Sequence, residues 1–364
     1  MKKILFITPF TPSNKDAGAN YTKQLLENLS TNNLIDLIYF RYSEDEDYLA
    51  PNPNIIIRKI INNNLLFKLI NLIFLPILFP LFTVRFNWLI LYQIKCLIKK
   101  NSYDIIYFDF SQTFLYAYFI KTPKKILMSH DVITQRFERE KSYFISWIKL
   151  SEKFLLKQKN VKIFTFSQKD SELIKKHYNI KSEITNFFLP KDIIELTTNK
   201  VSDYFVLFAM WKRPDNYKSI EWLLMHVFPS IKSKVIIIGG GMPEHLKKQL
   251  DRFSNIEYLG FVENPYPLIA KSKALLAPIF NGAGVKVKVI ETLACGTPVI
   301  GTDIAFEGIE KKYSDFMYFA NTANEFIYFI RNINTDLNEK ENYKKNFLNN
   351  YTDYPIIRYI NGIQ

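Results

Sequence analysis

Between Asn281 and Gly308 the chain reads NGAGVKVKVIETLACGTPVIGTDIAFEG, the stretch whose residue types and spacing best suit chemistry. Gly282-Ala283-Gly284 follows an apolar run ending at Pro278 and precedes a helical pattern carrying Lys286, Lys288 and Glu291. Glycines at a strand-to-helix turn let backbone N–H groups approach an anion, and the helix dipole favours negative charge there. A lysine in the first turn opposes that dipole, and a bound diphosphate resolves the conflict. Val287, Ile290, Leu293 and Ala294 form the apolar stripe that packs on a sheet. The competing reading is an ordinary amphipathic helix with solvated lysines.

Two further junctions carry candidate chemistry. Ser129-His130-Asp131 closes an apolar run, where the carboxyl edge of an α/β sheet forms its cleft. Adjacent strand side chains point to opposite faces, so His130 and Asp131 are not assumed to bond, and a capped strand end is the plainer alternative. Pro9-Phe10-Thr11-Pro12 followed by Asp16-Ala17-Gly18-Ala19-Asn20 is a second strand–loop–helix junction. Gly18 suits close backbone approach, and a plain turn is its alternative. His177, His226 and His245 fall on helical patterns and read as structural or solvent-exposed.

Other chemistries fail on inventory. The sequence has no Gly-x-x-x-x-Gly-Lys-Ser/Thr and no His-Glu-x-x-His, and Cys96 and Cys295 cannot build a zinc site. Asp45 and Asp47, the nearest approach to an Asp-x-Asp pair, sit in an acidic loop. A net charge of +13 favours anionic partners, yet no aromatic-interleaved nucleic-acid motif is present, so no nucleic acid is expected.

The elements that must position these residues alternate along all 364 residues. Expected strands are Lys3–Thr8, Ile35–Phe40, Asn54–Ile57, Ile105–Phe108, Lys125–Met128 and Lys162–Phe166, then Tyr204–Phe208, Lys234–Ile238, Ile256–Leu259, Ala274–Pro278 and Pro298–Thr302. Helical patterns lie between them, including one long pattern over Arg136–Leu156. Such alternation predicts an α/β protein of doubly wound parallel sheets. Residues 1–190 form the first expected domain, 191–202 a polar linker and 203–335 the second domain. The helices of 336–364 are expected to pack back on the first. Two such domains, with a cleft between the carboxyl ends of their strands, suit a nucleotide.

Glu291-Thr-Leu-Ala-Cys-Gly-Thr-Pro-Val resembles the second half of the signature of the retaining glycosyltransferases of family 4, glycosyl transferases of group 1 with the GT-B fold. DYFVLFAMWKRPDNYKSIEWL, KVIIIGGGMP and IEYLGFVENPYPLIAKSKALLAPIF resemble that family's preceding strands and helices, so the likeness is strong over about Asp203–Gly308. It implies two Rossmann-like domains facing a central cleft, the first binding acceptor and the second a nucleotide-sugar donor. It further implies that Glu291 binds the ribose hydroxyls. Lys286, with one of Lys212 or Arg213, neutralises the diphosphate as it leaves. Phe261-Val262 offers backbone groups to the base, Gly18 passes close to the donor phosphate, and His130 contacts the donor sugar. The family's first glutamate falls at Ala283, which hands its sugar contacts to the backbone of Gly282 to Gly284, implies a donor with different hydroxyls, or leaves activity weakened or lost.

The activity so implied is a hexosyltransferase-like reaction (EC 2.4) with retention. The donor is a UDP- or GDP-linked sugar, which is a substrate, so no cofactor or metal is required. The acceptor is a saccharide or lipid-linked saccharide of bacterial surface polysaccharide or glycolipid synthesis, such as lipopolysaccharide or capsule. A non-catalytic nucleotide- or glycan-binding protein and a nucleotide-sugar epimerase of similar fold stand as alternatives. Leu65–Val84 is long and apolar enough to test for membrane contact, but Lys68, Asn71, Pro76 and Pro80 interrupt it. An interfacial element, a helix pair packed on the first domain and a true span are its three readings. No export signal is visible, and the expected location is the cytoplasm, peripheral on the inner face of the cell membrane.

Overall fold

The computed structural model describes residues 1–62, 65–121 and 123–362. The chain forms two compact units, Met1–Phe188 with Tyr354–Gln364, and Leu189–Asp353.

The first unit holds strands β1 (Lys2–Thr8), β2 (Asn33–Arg41), β3 (Ile55–Asn62), β4 (Ile105–Asp109), β5 (Lys124–Met128), β6 (Val161–Thr165) and β7 (Glu183–Ile184). They form one sheet in the order β3-β2-β1-β4-β5-β6-β7, every pairing parallel. Its helices are α1 (Ala17–Ser30), α2 (Leu65–Phe74), α3 (Pro80–Thr83), α4 (Trp88–Lys100), α5 (Phe114–Tyr118), α6 (Ile133–Arg139), α7 (Ile145–Leu156) and α8 (Gln168–Tyr178). All five residues of β4 and the last five of β1 are buried, as continuous apolar strands covered on both faces must be.

The second unit holds helices α9 (Lys191–Ile194), α10 (Pro214–His226), α11 (Glu244–Leu250), α12 (Tyr266–Lys271), α13 (Val287–Ala294), α14 (Ala323–Asn332) and α15 (Leu337–Tyr351). Its strands are β8 (Tyr204–Phe208), β9 (Lys234–Ile238), β10 (Ile256–Gly260), β11 (Leu275–Ala277), β12 (Val299–Gly301) and β13 (Met317–Phe319), ordered β10-β9-β8-β11-β12-β13 and all parallel. In each sheet the winding reverses at one place, between β1 and β4 and between β8 and β11. Ligands of such sheets bind beyond the carboxyl ends of the strands at that reversal.

Several expectations change. The pattern over Arg136–Leu156 makes two helices, α6 and α7, because Lys141 takes φ 51°, a left-handed turn that no helix can carry through. Residues 191–202 are not a free linker, since α9 buries Ile193 in the core of the second unit. The tail divides too. The Lys340 ammonium of α15 donates to the Ala270 and Ser272 carbonyls at 2.6 Å, which fixes α15 to the second unit. A last helix, α16 (Pro355–Asn361), joins the first unit, where Asn33 Nδ2 donates to Asn361 Oδ1 at 2.8 Å.

Within Leu65–Val84, α2 stops before Pro76 and Pro80 opens α3 at its first position, where the missing N–H costs nothing. No helix among the described residues is long and apolar enough to cross a membrane. Asn71 is buried and donates to the Thr83 and Phe86 carbonyls at 2.8 and 2.7 Å, tying α2 to α3. Leu69, Leu72, Ile73, Phe74 and Ile77 nonetheless stay exposed, Ile77 at 85%.

Candidate active site

The second unit gathers its candidate residues where β8 and β11 end. Gly282 and Gly284 take φ 115° and 68°, conformations that a side chain opposes, so the glycines let the chain turn from β11 into α13. Lys286 caps α13, and the N–H groups of Val287 and Lys288 precede the first intrahelical bond, from Val289 to the Lys286 carbonyl at 2.8 Å. The Lys286 ammonium folds back on the carbonyls of Gly284 (2.6 Å) and Ala283 (3.3 Å) and lies 3.9 Å from the buried Glu307 carboxylate. Lys288 reaches Asn216 Oδ1 of α10 at 3.4 Å. Burial and the neighbouring Lys286 charge push its ammonium down to about 8. One turn on, the Tyr266 hydroxyl donates to Glu291 at 3.2 Å. Burial raises the Glu291 carboxyl to about 7, outweighing that bond, and burial with the Glu291 charge raises the Tyr266 phenol.

The start of α10 is bound to the same turn. Ser219 donates to the Pro278 carbonyl at 2.6 Å, and Asn281 Nδ2 to Asp215 at 3.4 Å. Lys212 and Arg213 are exposed on the loop from β8 into α10, with Arg213 at its cap. Lys212 also closes on Gly241, where a Cβ would come within 2.9 Å of the lysine Cβ. Val262 packs against the core while Phe261 before it is exposed. Two helix starts, the Lys286 and Lys288 ammonium groups and the carboxylates of Glu291 and Glu307 therefore gather at one sheet reversal, with Lys212 and Arg213 on the loop that opens α10, a setting for a diphosphate attached to a hydroxyl-bearing group. Lys288 was expected on this helix but given no role in the site, and Tyr266, Asn216 and Glu307 were not among the residues expected here. Two lysines in one first turn were the legible signal for Lys288; Glu307 closes the same Asn281–Gly308 stretch without a spacing that marks it, and Tyr266 and Asn216 come from segments remote in sequence.

The first unit builds its site where β1, β4 and β5 end. His130 follows β5 and its Nε2 lies 2.8 Å from Asp109 Oδ1 at the end of β4. Asp109 is fully buried and His130 nearly so. The other Asp109 oxygen accepts from Thr8 of β1 at 3.1 Å and from Thr22 of α1 at 2.5 Å. The His130 ring stacks on Phe110 with centroids 3.5 Å apart and planes 9° from parallel. Phe110 takes φ 56°, which costs on the order of 1–3 kcal/mol in a non-glycine residue. Gly18 lies against it: a Cβ there would sit 2.7 Å from the Phe110 ring. The Gly18 N–H donates to the capping Asp16 at 3.0 Å, so an anion at this turn competes with Asp16 for it. His130 was expected at a strand edge, and its partner is Asp109 across the sheet. No cluster of metal-ligating side chains occurs among the described residues.

The family described as Glycosyl transferases group 1 matches residues 203–336. No curated protein matches the chain by sequence. Among solved structures, sucrose-phosphate synthase from Thermosynechococcus elongatus superposes with a TM-score of 0.70 at 13% identity, over 100% of this chain and 98% of that one. WaaG, a glycosyltransferase involved in lipopolysaccharide biosynthesis, gives 0.67 at 11% identity over 99% of both chains. Anabaena Alr3699/HepE in complex with UDP gives 0.64 at 15% identity, over 99% of this chain and 98% of that one. At these identities the structures speak for the fold, and the matched segment speaks for the chemistry. The chain is thus a glycosyltransferase of the GT-B fold whose group 1 domain spans residues 203–336.

Proposed function

We propose that the chain moves a sugar from a nucleotide diphosphate donor to a saccharide or lipid-linked saccharide, with retention of anomeric configuration. The observation that carries the reading is the turn at the end of β11, where Gly282 and Gly284 open onto Lys286, Lys288 and Glu291. In it Lys286, Lys288 and one of Lys212 or Arg213 hold the diphosphate, and Glu291 accepts the ribose hydroxyls. Phe261-Val262 backs the base, Gly18 approaches the donor phosphate, and His130 meets the sugar. Support for such a donor comes from Alr3699/HepE, solved with UDP and with UDP-glucose. Ala283 leaves sugar contacts to the turn's backbone, and Glu307 sets a carboxylate beside Lys286.

In the reaction the bond from the anomeric carbon to the diphosphate oxygen breaks as the acceptor oxygen bonds to the same carbon on the same face. The acceptor's proton passes to the departing diphosphate, whose charge Lys286 and Arg213 stabilise. The acceptor belongs to cell-surface polysaccharide or glycolipid synthesis, met at the cytoplasmic membrane face. No metal is required.

A thermal-shift panel of UDP, GDP, ADP, CMP and dTDP with their common sugars tests the donor site. At about a hundred times its dissociation constant a ligand adds about 2.7 kcal/mol, a visible rise in Tm. One base should shift the wild type and not Glu291→Ala, and the anomer of the product, read by NMR, should match the donor's. No shift with any nucleotide, or an inverted product, overturns the donor or the stereochemical assignment respectively.

A further inference from the structure

Resting on the reading above, in which His130 meets the donor sugar, we infer that Asp109, Phe110 and Gly18 form a positioning device that fixes one tautomer and one ring plane of His130. A carboxylate only accepts hydrogen bonds, so the contact from Asp109 Oδ1 at 2.8 Å puts the imidazole proton on Nε2. The far oxygen of Asp109 is held by Thr8 and Thr22, which pins the carboxylate to β1 and α1 and prevents it from following the ring. In the neutral imidazole Nδ1 then carries the lone pair, and with no hydrogen-bond partner among the described residues it presents an acceptor to a sugar hydroxyl. Histidines whose second nitrogen is held this way have their role set by the partner.

The ring plane is fixed separately. Phe110 lies flat on His130, and Tyr21 and Phe166 meet the imidazole edge-on at centroid distances of 5.4 and 5.1 Å. Phe110 holds that position with its backbone at φ 56°. Thr113 holds the bend by donating to the Asp109 and Phe110 carbonyls at 2.7 and 3.0 Å. Gly18 supplies the remaining room, since any side chain there would drive into the Phe110 ring. Strain at Phe110 and a glycine at position 18 thus serve one purpose, a histidine that cannot turn.

Asp109→Asn is the discriminating variant. Its carbonyl keeps the two threonine bonds and its amide faces Nε2 as a donor, which drives the imidazole proton to Nδ1 and converts the presented acceptor into a donor. Long-range proton–nitrogen NMR on protein labelled at its 4 histidines reads the tautomer, and His130→Gln assigns the signal. The wild type should show the Nε2–H form and Asp109→Asn the Nδ1–H form. Turnover should fall on the order of tenfold or more, with KM moved much less than kcat. In the His130→Gln background Asp109→Asn should add nothing. An Nδ1–H wild type, which needs no variant, overturns the inference. So does undiminished kcat once the tautomer has switched, or a further loss on top of His130→Gln. A wild type that turns over no nucleotide sugar overturns the transferase reading instead, and the tautomer spectra then decide the Asp109–His130 pairing alone.

Discussion

Glu291 and Lys288 stand one turn apart on α13 and are displaced from ordinary behaviour in opposite directions, to about 7 and about 8. Ribose hydroxyls need the ionised carboxylate and a diphosphate needs the ammonium. Nucleotide affinity should therefore peak between about pH 7 and 8, failing on the acid side as Glu291 takes up its proton and on the alkaline side as Lys288 loses its own. Titration calorimetry from acid to alkaline pH checks this: Glu291→Gln should erase the acid limb and Lys288→Met the alkaline one, and a flat wild-type profile refutes it. Gly18→Ala separates two roles. A Cβ against Phe110 is an overpacking of the kind that costs about 1–3 kcal/mol, relieved by displacing the ring. Turnover should fall with nucleotide affinity unchanged if the glycine serves Phe110, whereas a loss of nucleotide affinity places it at the donor phosphate. Glu291 and Lys286 stand out as candidates in the sequence because a glycine turn, a cation and a carboxylate follow one another in a single segment. Asp109 was not, since its partners Thr8, Thr22 and His130 lie on three other segments and only the parallel order β1-β4-β5 brings them together.

At the scale of elements, the core strands were readable because a parallel strand buried on both faces is written as an unbroken apolar run. Strands such as β7 and β13, of two and three residues, carry too little pattern to be seen. The break between α6 and α7 was invisible because Lys141, unlike a glycine or asparagine, gives no sign of the left-handed backbone it takes. The two prolines between α2 and α3 were a clearer sign, and they leave Ile73, Phe74 and Ile77 outside the core. The Trp147 indole of α7 donates to the Ile77 carbonyl at 2.7 Å, which brings exposed Tyr143 and Phe144 alongside this segment. An apolar edge with lysines nearby on α7 suits the headgroup boundary of an anionic bilayer. Sedimentation with vesicles should show binding that grows with anionic lipid and weakens with salt. Replacing Ile73, Phe74 and Ile77 by Ser should lower it severalfold with little change in Tm, and equal sedimentation of the variant speaks against this edge.

Across the whole molecule, the groups proposed to bind the nucleotide lower stability. Glu291 has its folded-state value raised, so its contribution is lost as pH rises from its ordinary value of 4.5 through about 7. Lys288 has its value lowered, so its contribution is lost as pH falls from 10.5 through about 8. Both losses are complete between about pH 7 and 8, where the unliganded protein should show a dip in Tm. Glu291→Gln combined with Lys288→Met should fill that dip, raising Tm there by roughly 2–4 °C per kcal/mol recovered, while abolishing nucleotide binding. A double variant no more stable than wild type at neutral pH refutes the trade.

The division of the chain carries a consequence for synthesis. The second unit is continuous from Leu189 to Asp353, but the first is completed only by Tyr354–Gln364. On the ribosome, where domains generally fold as they emerge, β1 and β2 wait for α16 until all of the second unit has been made. Asn33 at the start of β2 and Lys2 at the start of β1 are the residues left waiting, since Asn33 bonds Asn361 and the Lys2 ammonium bonds the Ile360 carbonyl. The unit translated first is therefore the unit finished last, and an interrupted chain carries a completed second unit and an unsealed first one.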